Sequence, residues 1–565
     1  MSATPGLLTS LRHRDFRLLM EATAVSVACS WAYNVALTVW IFQETGSAAW
    51  VGAATIGRFV PALLFSAYAG VIAERFERVR LMVVLDLAST VVMLGLALQT
   101  ALHAPVALAI FTAALTSVMG TVYEPAATAF TPQLVGERDL GSANALRNTL
   151  DNVVVIAGPA LGAVLLLVGP VYVAMLVNAA SFLASAVIVQ RIHTRSKPVD
   201  VTEGGEAGPF RQMLVGVKAI TSSQTAAVLV AYSVVASFIF GVDTVQFVIV
   251  SRDVLGTGAE GYGYLLMGLG VGGVLIAGLV TRIERLPRLG PVILLGMALY
   301  CVPTLLFLTT SSPAVGFAVE VVRGAGTLVV DVMALTALQR ALPSDQMGRV
   351  FGAFGALVLG AIVLGAYVTP LAINGFGLDT TLWLSGAVIP ALCLLGIPAL
   401  RSMDREAIGR RAELAPRVDL LEQCDLFAAI SPGALEQLAG AATYADVAAG
   451  EAVVREGEEA DAFFVIVEGR LAVSARGEGA AEQALGELRA GQYFGEIGLI
   501  ERIPRTATVT GVERSRLLRV GGPDFVDALT EATPSVALLE GASARLRRTH
   551  PSLAAVHHAD RPESG

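Results

Sequence analysis

The sequence predicts an all-α polytopic membrane part, with twelve transmembrane helices in two six-helix halves, followed by a small α+β domain. Hydrophobic residues make up 55% of the 565-residue chain and charged residues only 15%, and the mean hydropathy is +0.67. A spanning helix needs ~20 mostly apolar residues. Such stretches recur up to residue 400, and none begins after residue 419. The chain therefore combines a helical membrane protein with a C-terminal module.

The apolar stretches form two sets of six, separated by a polar segment at residues 191–222. This division predicts a first half at residues 1–190, a central loop at 191–222 and a second half at 223–400. The twelve stretches are 18–42, 50–73, 81–102, 106–129, 143–168, 171–190, 225–249, 261–281, 290–310, 314–338, 349–373 and 380–400.

Basic residues are concentrated in the loops on one side of the membrane. They follow spans two, six, eight and twelve, whereas Arg252 is nearly alone in the opposite loops. Cytoplasmic loops carry the excess of Lys and Arg, so we expect both termini and the C-terminal domain to be cytoplasmic, in a bacterial-type inner membrane. The N-terminal basic residues precede no small-residue cleavage site, so we expect the first span to be retained.

The chain changes character after residue 400. Residues 401–418 are charge-rich and predict a connecting helix broken at Pro416. Short alternating segments at 462–469 and 470–474 predict β-strands, and helical patterns flank them at 431–442 and 523–548. These features predict a domain at residues 419–548 and an unstructured tail at 549–565.

Several classes of function are disfavoured by composition and spacing. The net charge of −8 and the absence of a basic stripe argue against a nucleic-acid partner. Cys29, Cys301, Cys393 and Cys424 are isolated, so neither a metal site nor a disulfide framework is expected. No nucleophile–base–orienter set indicates an enzyme, and no selectivity filter or arginine-repeat voltage sensor indicates a channel.

The loop after span two carries a recognisable motif. Residues 70–80 read GVIAERFERVR and resemble the signature loop between helices two and three of the major facilitator superfamily. The resemblance implies a charge latch that locks the two halves in one state, with Gly70 permitting close helix contact. Glu74 stands where the family usually has Asp, and a merely topogenic basic loop is the alternative. The latch residues are Gly70, Glu74, Arg75, Arg78 and Arg80.

A second motif lies in span five. Gly158, Pro159 and Gly162 resemble the antiporter motif of drug-exporting members, although Ala163 departs from it. Gly and Pro there permit tight packing and a local bend, and plain packing is an alternative explanation. Together with the segments 15–17, 45–47 and 144–146, the motif resembles the macrolide-efflux and siderophore-export branch. It implies export of a small amphipathic substrate.

Charged residues within the spans are functional candidates, because an unpaired charge in lipid is costly. Glu21, Asp151 and Asp243 lie in spans one, five and seven, which line the central cavity in this family, and Asp243 is the deepest. We expect one of these three to couple transport to protons. Glu320 and Arg323 are three residues apart and predict a structural ion pair. The remaining charged residues in the spans are Arg58, Asp86, Glu124 and Asp331.

The most specific motif is in the C-terminal domain. Residues 494–508 read FGEIGLIERIPRTAT and resemble the phosphate-binding cassette of cyclic-nucleotide-binding domains, a likeness that extends over residues 420–547 and implies a β-roll. It implies that Arg505 binds the cyclic phosphate and Glu496 the ribose hydroxyl, with residues 535–548 closing over the base. The predicted binding residues are Gly495, Glu496, Ile497, Gly498, Arg505, Thr506 and Ala507.

The resemblances together predict an exporter regulated by a cyclic nucleotide, with no catalytic cofactor. Cyclic AMP is favoured as the ligand over cyclic GMP. One alternative is a nucleotide sensor that has a transporter fold and little flux. Another is an exporter whose C-terminal domain is only structural and has lost its ligand.

Overall fold

The computed structural model describes residues 9–531, apart from 197–208, 260, 284–285, 287, 342–343, 428–429, 431, 477–481 and 502. The chain divides into two compact units. Residues 7–406 form one, named here the membrane unit, and residues 407–565 with residues 1–6 form the other, named here the C-terminal unit. The expected lid at 535–548 and tail at 549–565 lie outside the described residues.

The described part of the membrane unit is built from helices joined by short turns. Among the described residues, five short 3₁₀ or π segments adjoin them, at Thr9–Arg12, Val250–Val254, Val302–Leu308, Leu384–Val388 and Leu394–Gly396. The helices are α1 Arg14–Thr45, α2 Ala48–Arg75, α3 Arg78–Ala101, α4 Val106–Val168, α5 Tyr172–Gln190, α6 Pro209–Ser222, α7 Gln224–Ile249, α8 Gly261–Ile283, α9 Gly290–Cys301, α10 Pro313–Ala341, α11 Ser344–Phe376, α12 Leu378–Trp383, α13 Ile389–Cys393 and α14 Ile397–Glu422.

These helices confirm the predicted all-α membrane part. Among the described residues, eleven helical segments are long and apolar enough to cross a membrane, and Ala157–Val168 is a shorter apolar segment. The fourth and fifth predicted spans both lie in α4, which continues across a kink at Gly136, where φ is +70°. The kink suits glycine because that φ is in the left-handed region.

Two local expectations differ from the structure. The central polar segment contains a helix, α6, whose Ile220 is buried in the core of the second half. The helix α14 continues through Pro416 to Glu422 instead of breaking. After the proline, Leu421 is fully buried in the core of the C-terminal unit. Leu414, before the proline, packs against the same core, so apolar packing on both sides of Pro416 outweighs the hydrogen bond that proline cannot donate.

Helices α8 and α10 approach each other through glycine. A Cβ on Gly324 of α10 would overlap the backbone of Leu269 in α8, and a Cβ on Gly272 of α8 would overlap the backbone of Val321. Small residues allow helices in a membrane to pack backbone against backbone. This packing fixes the position of α10, which carries the buried charges Glu320 and Arg323.

The described part of the C-terminal unit has two four-stranded antiparallel sheets, in the orders β1-β8-β3-β6 and β2-β7-β4-β5. Helices α15 Pro432–Ala441 and α17 Gly522–Glu531 cover an aromatic core in which Phe463 stacks on Phe525 at 4.8 Å. The strands are β1 Thr443–Val447, β2 Ala452–Val454, β3 Ala462–Glu468, β4 Arg470–Arg476, β5 Glu482–Arg489, β6 Tyr493–Phe494, β7 Thr508–Gly511 and β8 Ser515–Gly521. The expected α+β class is confirmed, including the strands predicted at 462–469 and 470–474.

We expect Gly469→Ala to destabilise the C-terminal unit by about 3 kcal/mol or more. Gly469 joins β3 to β4 with φ +96°, and an added Cβ would overlap Ser515. Gly450→Ala is the matched control, because Gly450 has φ +83° but open space around its Cβ, so it should cost only about 1 kcal/mol. Hydrogen exchange of the β3 and β8 peptides in the full-length protein measures both. Equal effects of the two substitutions would contradict the steric explanation.

Candidate functional site

The predicted cassette forms one continuous turn in the C-terminal unit. Strand β6 ends at Phe494, Gly495 follows with φ +93°, and the six-residue helix α16 runs over Glu496–Glu501. A Cβ on Gly495 would lie 2.8 Å from Arg505 Nη1 and 2.9 Å from the carbonyl oxygen of Ala462. Only glycine therefore lets the turn approach the Arg505 guanidinium this closely.

The Arg505 side chain is turned into the domain and is only 4% exposed. Its Nη1 donates to the carbonyl of Gly495 at 3.1 Å, and its Nη2 donates to Asp461 Oδ1 at 3.0 Å and to the carbonyl of Ala462 at 2.7 Å. An arginine carries five N–H donors. Three of them are accounted for by these contacts among the described residues, and they fix the guanidinium in place.

Asp461 bridges two arginines. Its Oδ2 accepts a hydrogen bond from Arg519 Nη2 at 2.9 Å, while Oδ1 accepts from Arg505. Burial raises the pKa of the Asp461 carboxyl, but the hydrogen bonds from Arg519 and Arg505 outweigh that effect. The pKa of Asp461 therefore lies below its usual value of 3.8. The carboxylate stays ionised near neutral pH and neutralises part of the charge around Arg505.

The other predicted cassette residues surround this arginine in the sequence. Glu496 and Gly498 are buried at the start of α16, and Ile497, Thr506 and Ala507 are partly exposed. A Cβ on Gly498 would lie 2.6 Å from the Ala460 Cβ, so that position is restricted to glycine by contact with the chain before β3.

A second candidate site lies inside the membrane unit and joins three helices. Arg323 of α10 donates from Nη2 to both oxygens of Asp243 in α7, at 2.7 and 2.8 Å, and from Nη1 to both oxygens of Glu320, at 2.8 and 3.1 Å. Tyr300 of α9 donates its hydroxyl to Asp243 at 3.0 Å, and its carbonyl accepts from Arg323 Nε at 2.8 Å. We name Asp243, Tyr300, Glu320 and Arg323 the Arg323 cluster.

The Arg323 cluster is almost completely buried, with Arg323 and Glu320 at 0% exposure and Asp243 at 2%. It contains two carboxyl groups and one guanidinium, so it carries one excess negative charge when both carboxyls are ionised. The ion pair expected between Glu320 and Arg323 is present, and Asp243 joins it instead of standing alone.

Of the other two proton-coupling candidates, Glu21 lies outside this cluster. Glu21 is 54% exposed and lies 3.8 Å from Arg17, one helical turn earlier in α1. Asp151 lies in α4, and its side chain is outside the described part of the structure. Asp243 is therefore the candidate that the structure places among buried charges.

The latch residues do not form ion pairs with one another. Glu74, Arg75 and Arg80 are exposed, and none of them has a salt-bridge partner among the described residues. Among the described residues, nothing lies within 4 Å of a Cβ on Gly70, whereas at the other end of α2 a Cβ on Gly52 would lie 3.0 Å from Pro370 in α11. In the part of the chain that the structure describes, the close helix contact of α2 with α11 is therefore seen at Gly52, and Gly70 stays a predicted contact.

The predicted antiporter motif packs against α1. A Cβ on Gly158 would overlap the Trp31 side chain, and a Cβ on Gly162 would lie 2.8 Å from the carbonyl of Ala32. Pro159 lies within α4, whose one non-helical residue among those described is Gly136. The motif therefore packs closely against α1, as expected. The kink of α4 is at Gly136 and not at the motif.

Comparison with known families decides the class of the membrane unit. The model of the Major Facilitator Superfamily matches residues 19–366, which is more than half of the chain. The chain belongs to the Major Facilitator Superfamily. A second model, that of the cyclic nucleotide-binding domain, matches residues 445–532. This superfamily member therefore carries a cyclic-nucleotide-binding domain after its membrane unit.

Individual relatives are similar to separate parts of this superfamily member. The putative bacilysin exporter BacE of Bacillus subtilis is 30% identical over 40% of this chain and 55% of its own length. The cAMP-dependent protein kinase regulatory subunit of Dictyostelium discoideum is 30% identical over 30% of this chain and 51% of its own length. The sensor domain of the transcriptional regulator DNR from Pseudomonas aeruginosa is 25% identical over 27% of this chain and 96% of that chain, with a TM-score of 0.23. The chain spans about half the length of these two curated relatives.

Sequence reasoning missed three residues of the two sites in this superfamily member. Asp461 accepts a hydrogen bond from Arg505 and another from Arg519, and Tyr300 donates one to Asp243. Asp461 directly precedes the β3 segment, and Arg519 lies within β8, but no local motif marks either residue. Their partners are 44 and 58 residues away along the chain, so only the fold reveals the contacts.

We expect the contribution of Asp461 to the stability of the C-terminal unit to disappear in acid. A carboxyl whose pKa is lowered on folding stabilises the native state above its unfolded pKa of about 3.9, and the contribution is lost as the pH falls through the folded pKa. Thermal unfolding of full-length wild type and Asp461→Asn, followed between pH 7 and 2.5, should show a difference that shrinks below about pH 4.

Asp446→Asn is the matched control for this experiment. Asp446 is similarly exposed and has Arg516 at 3.9 Å, but no second arginine among the described residues is bonded to it, so its effect on unfolding should be smaller at every pH. A difference between wild type and Asp461→Asn that persists unchanged at pH 2.5 would contradict the ion-pair explanation.

Proposed function

We propose that this chain is a secondary-active, proton-coupled exporter of small amphipathic molecules in a bacterial-type inner membrane. A cyclic nucleotide, with cyclic AMP favoured, binds its cytoplasmic C-terminal domain and regulates export. The observation that carries the proposal is the presence, on one chain of the superfamily, of a buried cluster with an exchangeable charge and a cassette built around Arg505. The relative named as a putative exporter and the relative named as cAMP-dependent support the two halves of this proposal.

The proposed domain boundaries follow the sequence. The two transporter halves are residues 1–190 and 223–400, joined by the central loop at 191–222. The linker helix at 401–418 leads to the nucleotide-binding domain at 419–548, and the tail is 549–565. We propose that the protein is a transporter with a regulatory ligand and not an enzyme.

The chemistry of the cassette suits a cyclic phosphate. Arg505 retains two N–H donors beyond its contacts with described residues, and a guanidinium fork binds the oxygens of a phosphate. Glu496 lies at the start of α16 and is only 4% exposed. We assign its carboxylate to the ribose 2′-hydroxyl, and Gly495 to close approach of the backbone. Ile497, Gly498, Thr506 and Ala507 complete the proposed site.

We expect Arg505→Lys to weaken cyclic-nucleotide binding by about tenfold or more, and Arg505→Ala by more than that. Lysine keeps the charge but loses the fork, and a charge-assisted hydrogen bond contributes about 1.5–3 kcal/mol. Calorimetric titration of cyclic AMP and cyclic GMP into the full-length protein measures the affinity and ranks the two bases.

Arg470→Ala is the control, because Arg470 also bonds a carboxylate, Glu513, but lies outside the cassette. Wild-type protein that is folded and binds neither nucleotide would refute the regulatory half of the proposal and favour a structural domain. Binding that survives in Arg505→Ala would refute the assignment of the phosphate to this residue.

The Arg323 cluster suits proton coupling. Its excess negative charge is buried in a membrane helix bundle, where a charge at the bilayer centre costs about 2.5–3.5 kcal/mol on insertion scales. Binding one proton removes that excess. We propose that Asp243, supported by Glu320, takes and releases this proton as the cluster is exposed to either side of the membrane. Glu21 and Asp151 are the weaker candidates.

We expect Asp243→Asn and Glu320→Gln to abolish accumulation driven by a pH gradient while retaining exchange of substrate across the membrane. The measurement uses inverted membrane vesicles, an inside-acid gradient and a panel of radiolabelled amphipathic compounds, with nigericin to collapse the gradient. Glu21→Gln is the comparison, because Glu21 is exposed and lies outside the cluster: we expect it to retain accumulation, and a loss in this variant alone would assign the proton to Glu21.

The outcomes of the vesicle experiment separate the alternatives. Gradient-driven accumulation that survives in both cluster variants would refute proton coupling by the Arg323 cluster. If no compound accumulates above the level of empty vesicles, the chain is better described as a nucleotide sensor with a transporter fold.

The latch residues fit the proposal as a gate that is open in this conformation. Glu74, Arg75 and Arg80 are exposed, and Gly70 has open space beside it. We propose that Gly70, Glu74 and the arginines at 75, 78 and 80 pair when α2 approaches the second half at this end. Gly158, Pro159 and Gly162 then act as the packing surface between α4 and α1.

A further inference from the structure

Arg58 is a membrane-buried charge to which the proposed mechanism gives no role. It is the eleventh residue of α2, and at 1.5 Å per residue it lies about 15 Å from the start of the helix. That depth is close to the middle of a hydrocarbon core about 30 Å thick. An arginine at this depth faces a water-filled cavity or pairs with another group, and by default marks a functional site.

The guanidinium of Arg58 rests on aromatic rings instead of a carboxylate. Its Cζ lies 5.2 Å from the centre of the Trp31 ring and 5.1 Å from that of Phe59. Among the described residues, no carboxylate forms a salt bridge with it. The Arg323 guanidinium, by contrast, is held between two carboxylates. Arg58 is therefore oriented by the protein but left without an anion.

A cavity of about 390 Å³ opens beside Arg58, within the range of small-molecule sites. Most of the residues that line the cavity are apolar or carry a hydroxyl group. They include Ser30, next to Trp31 on α1, and Phe59. Thr116 lines the cavity, and its Oγ1 has no hydrogen-bond partner among the described residues. An apolar cavity with a few unsatisfied polar groups is suited to an amphipathic ligand.

The same cavity is lined by two carboxylates, of which one is already neutralised. Glu124 forms an ion pair with Arg147. Asp86 accepts a hydrogen bond from the neutral hydroxyl of Ser185 at 2.7 Å, and no cation pairs with it among the described residues. The cavity therefore presents one unpaired positive group, Arg58, and one negative group without a cation, Asp86.

We infer that this cavity binds a small amphipathic zwitterion, whose anionic group binds Arg58 beside the Trp31 ring and whose cationic group faces Asp86. The inference rests on the proposed export function, because it names the substrate class of the same unit. A neutral zwitterion satisfies both charges at once, whereas a simple anion or cation satisfies one and leaves the other. Gly158 contributes by letting α4 approach α1 at Trp31, which supports the ring on which Arg58 rests.

The binding of a dipeptide and its two capped forms to the full-length protein tests the inference without a measurement of transport. The probes are the dipeptide alanyl-phenylalanine, its C-terminal amide, which lacks the anion, and its N-acetyl form, which lacks the cation. We expect the wild-type protein to bind the dipeptide, and to bind each capped form about tenfold or more weakly, as expected when a charge-assisted contact is lost. Calorimetry in detergent measures the three affinities.

Substitutions assign each end of the ligand. Arg58→Gln should lower the affinity for the dipeptide about tenfold and leave that for the amide nearly unchanged, and Arg58→Lys should lie between. Asp86→Asn should lower the affinity for the dipeptide and spare the N-acetyl form. Arg252→Gln is the matched control, because Arg252 also lies over an aromatic ring, Phe42, at 4.7 Å but is paired with Asp253 and does not line the cavity.

Two results would overturn the inference. One is the absence of dipeptide binding to folded wild-type protein, and the other is a preference for dipeptide over amide that Arg58→Gln leaves unchanged. The capped probes on wild-type protein keep the test valid if Arg58→Gln does not fold. Dipeptide binding without vesicle transport would refute the export function and leave the site, whereas transport of other compounds without dipeptide binding would refute the site alone.

Discussion

The second half of the membrane unit depends on the ion cluster around Arg323. This one guanidinium binds carboxylates of α7 and α10 and the backbone carbonyl of Tyr300 in α9, so three helices are fixed by a single side chain. Removing one partner of a buried ion pair costs about 3–5 kcal/mol, because the remaining charge stays buried. Gly324, the next residue, lets α8 pack against α10 at the same level. The cluster therefore positions the helices around it, and its charge balance determines how firmly it does so.

The same constraint explains why Arg58 differs from Arg323. Both are arginines within membrane-spanning helices, and both lie over aromatic rings. Arg323 has two carboxylates from the protein and is fully buried, whereas Arg58 has none among the described residues and lines a cavity. A charge that the protein neutralises stabilises the helix bundle. A charge that it leaves unpaired beside a cavity is available to a ligand. Arg323 in the second half therefore has the stabilising role, and Arg58 in the first half is the one available to a ligand.

The sequence predicts what depends on local chemistry and misses what depends on packing. The bilayer thickness sets the length of each span, so hydropathy predicts the helices, and the cassette is recognisable because Gly495 and Arg505 are close in sequence. Arg323 and Asp243 are 80 residues apart, so their contact follows from the packing of α7 against α10. Packing also explains why α14 continues past Pro416. Under the proposed function, the contact expected at Gly70 forms in another conformation of the two halves, and a single sequence is compatible with both conformations.

The relative sizes of these energies constrain how a cyclic nucleotide can regulate export. A ligand shifts a conformational equilibrium only by the difference between its affinities for the two states, and such coupling is typically 1–3 kcal/mol. Breaking a buried ion pair costs about 3–5 kcal/mol. A nucleotide bound at Arg505 therefore cannot by itself open the Arg323 cluster. Protonation can, because a carboxyl group that has taken up a proton is neutral and loses its ionic attraction to the guanidinium. Under the proposed function the proton drives the conformational change and the nucleotide adjusts how often the protein is in a state that can undergo it.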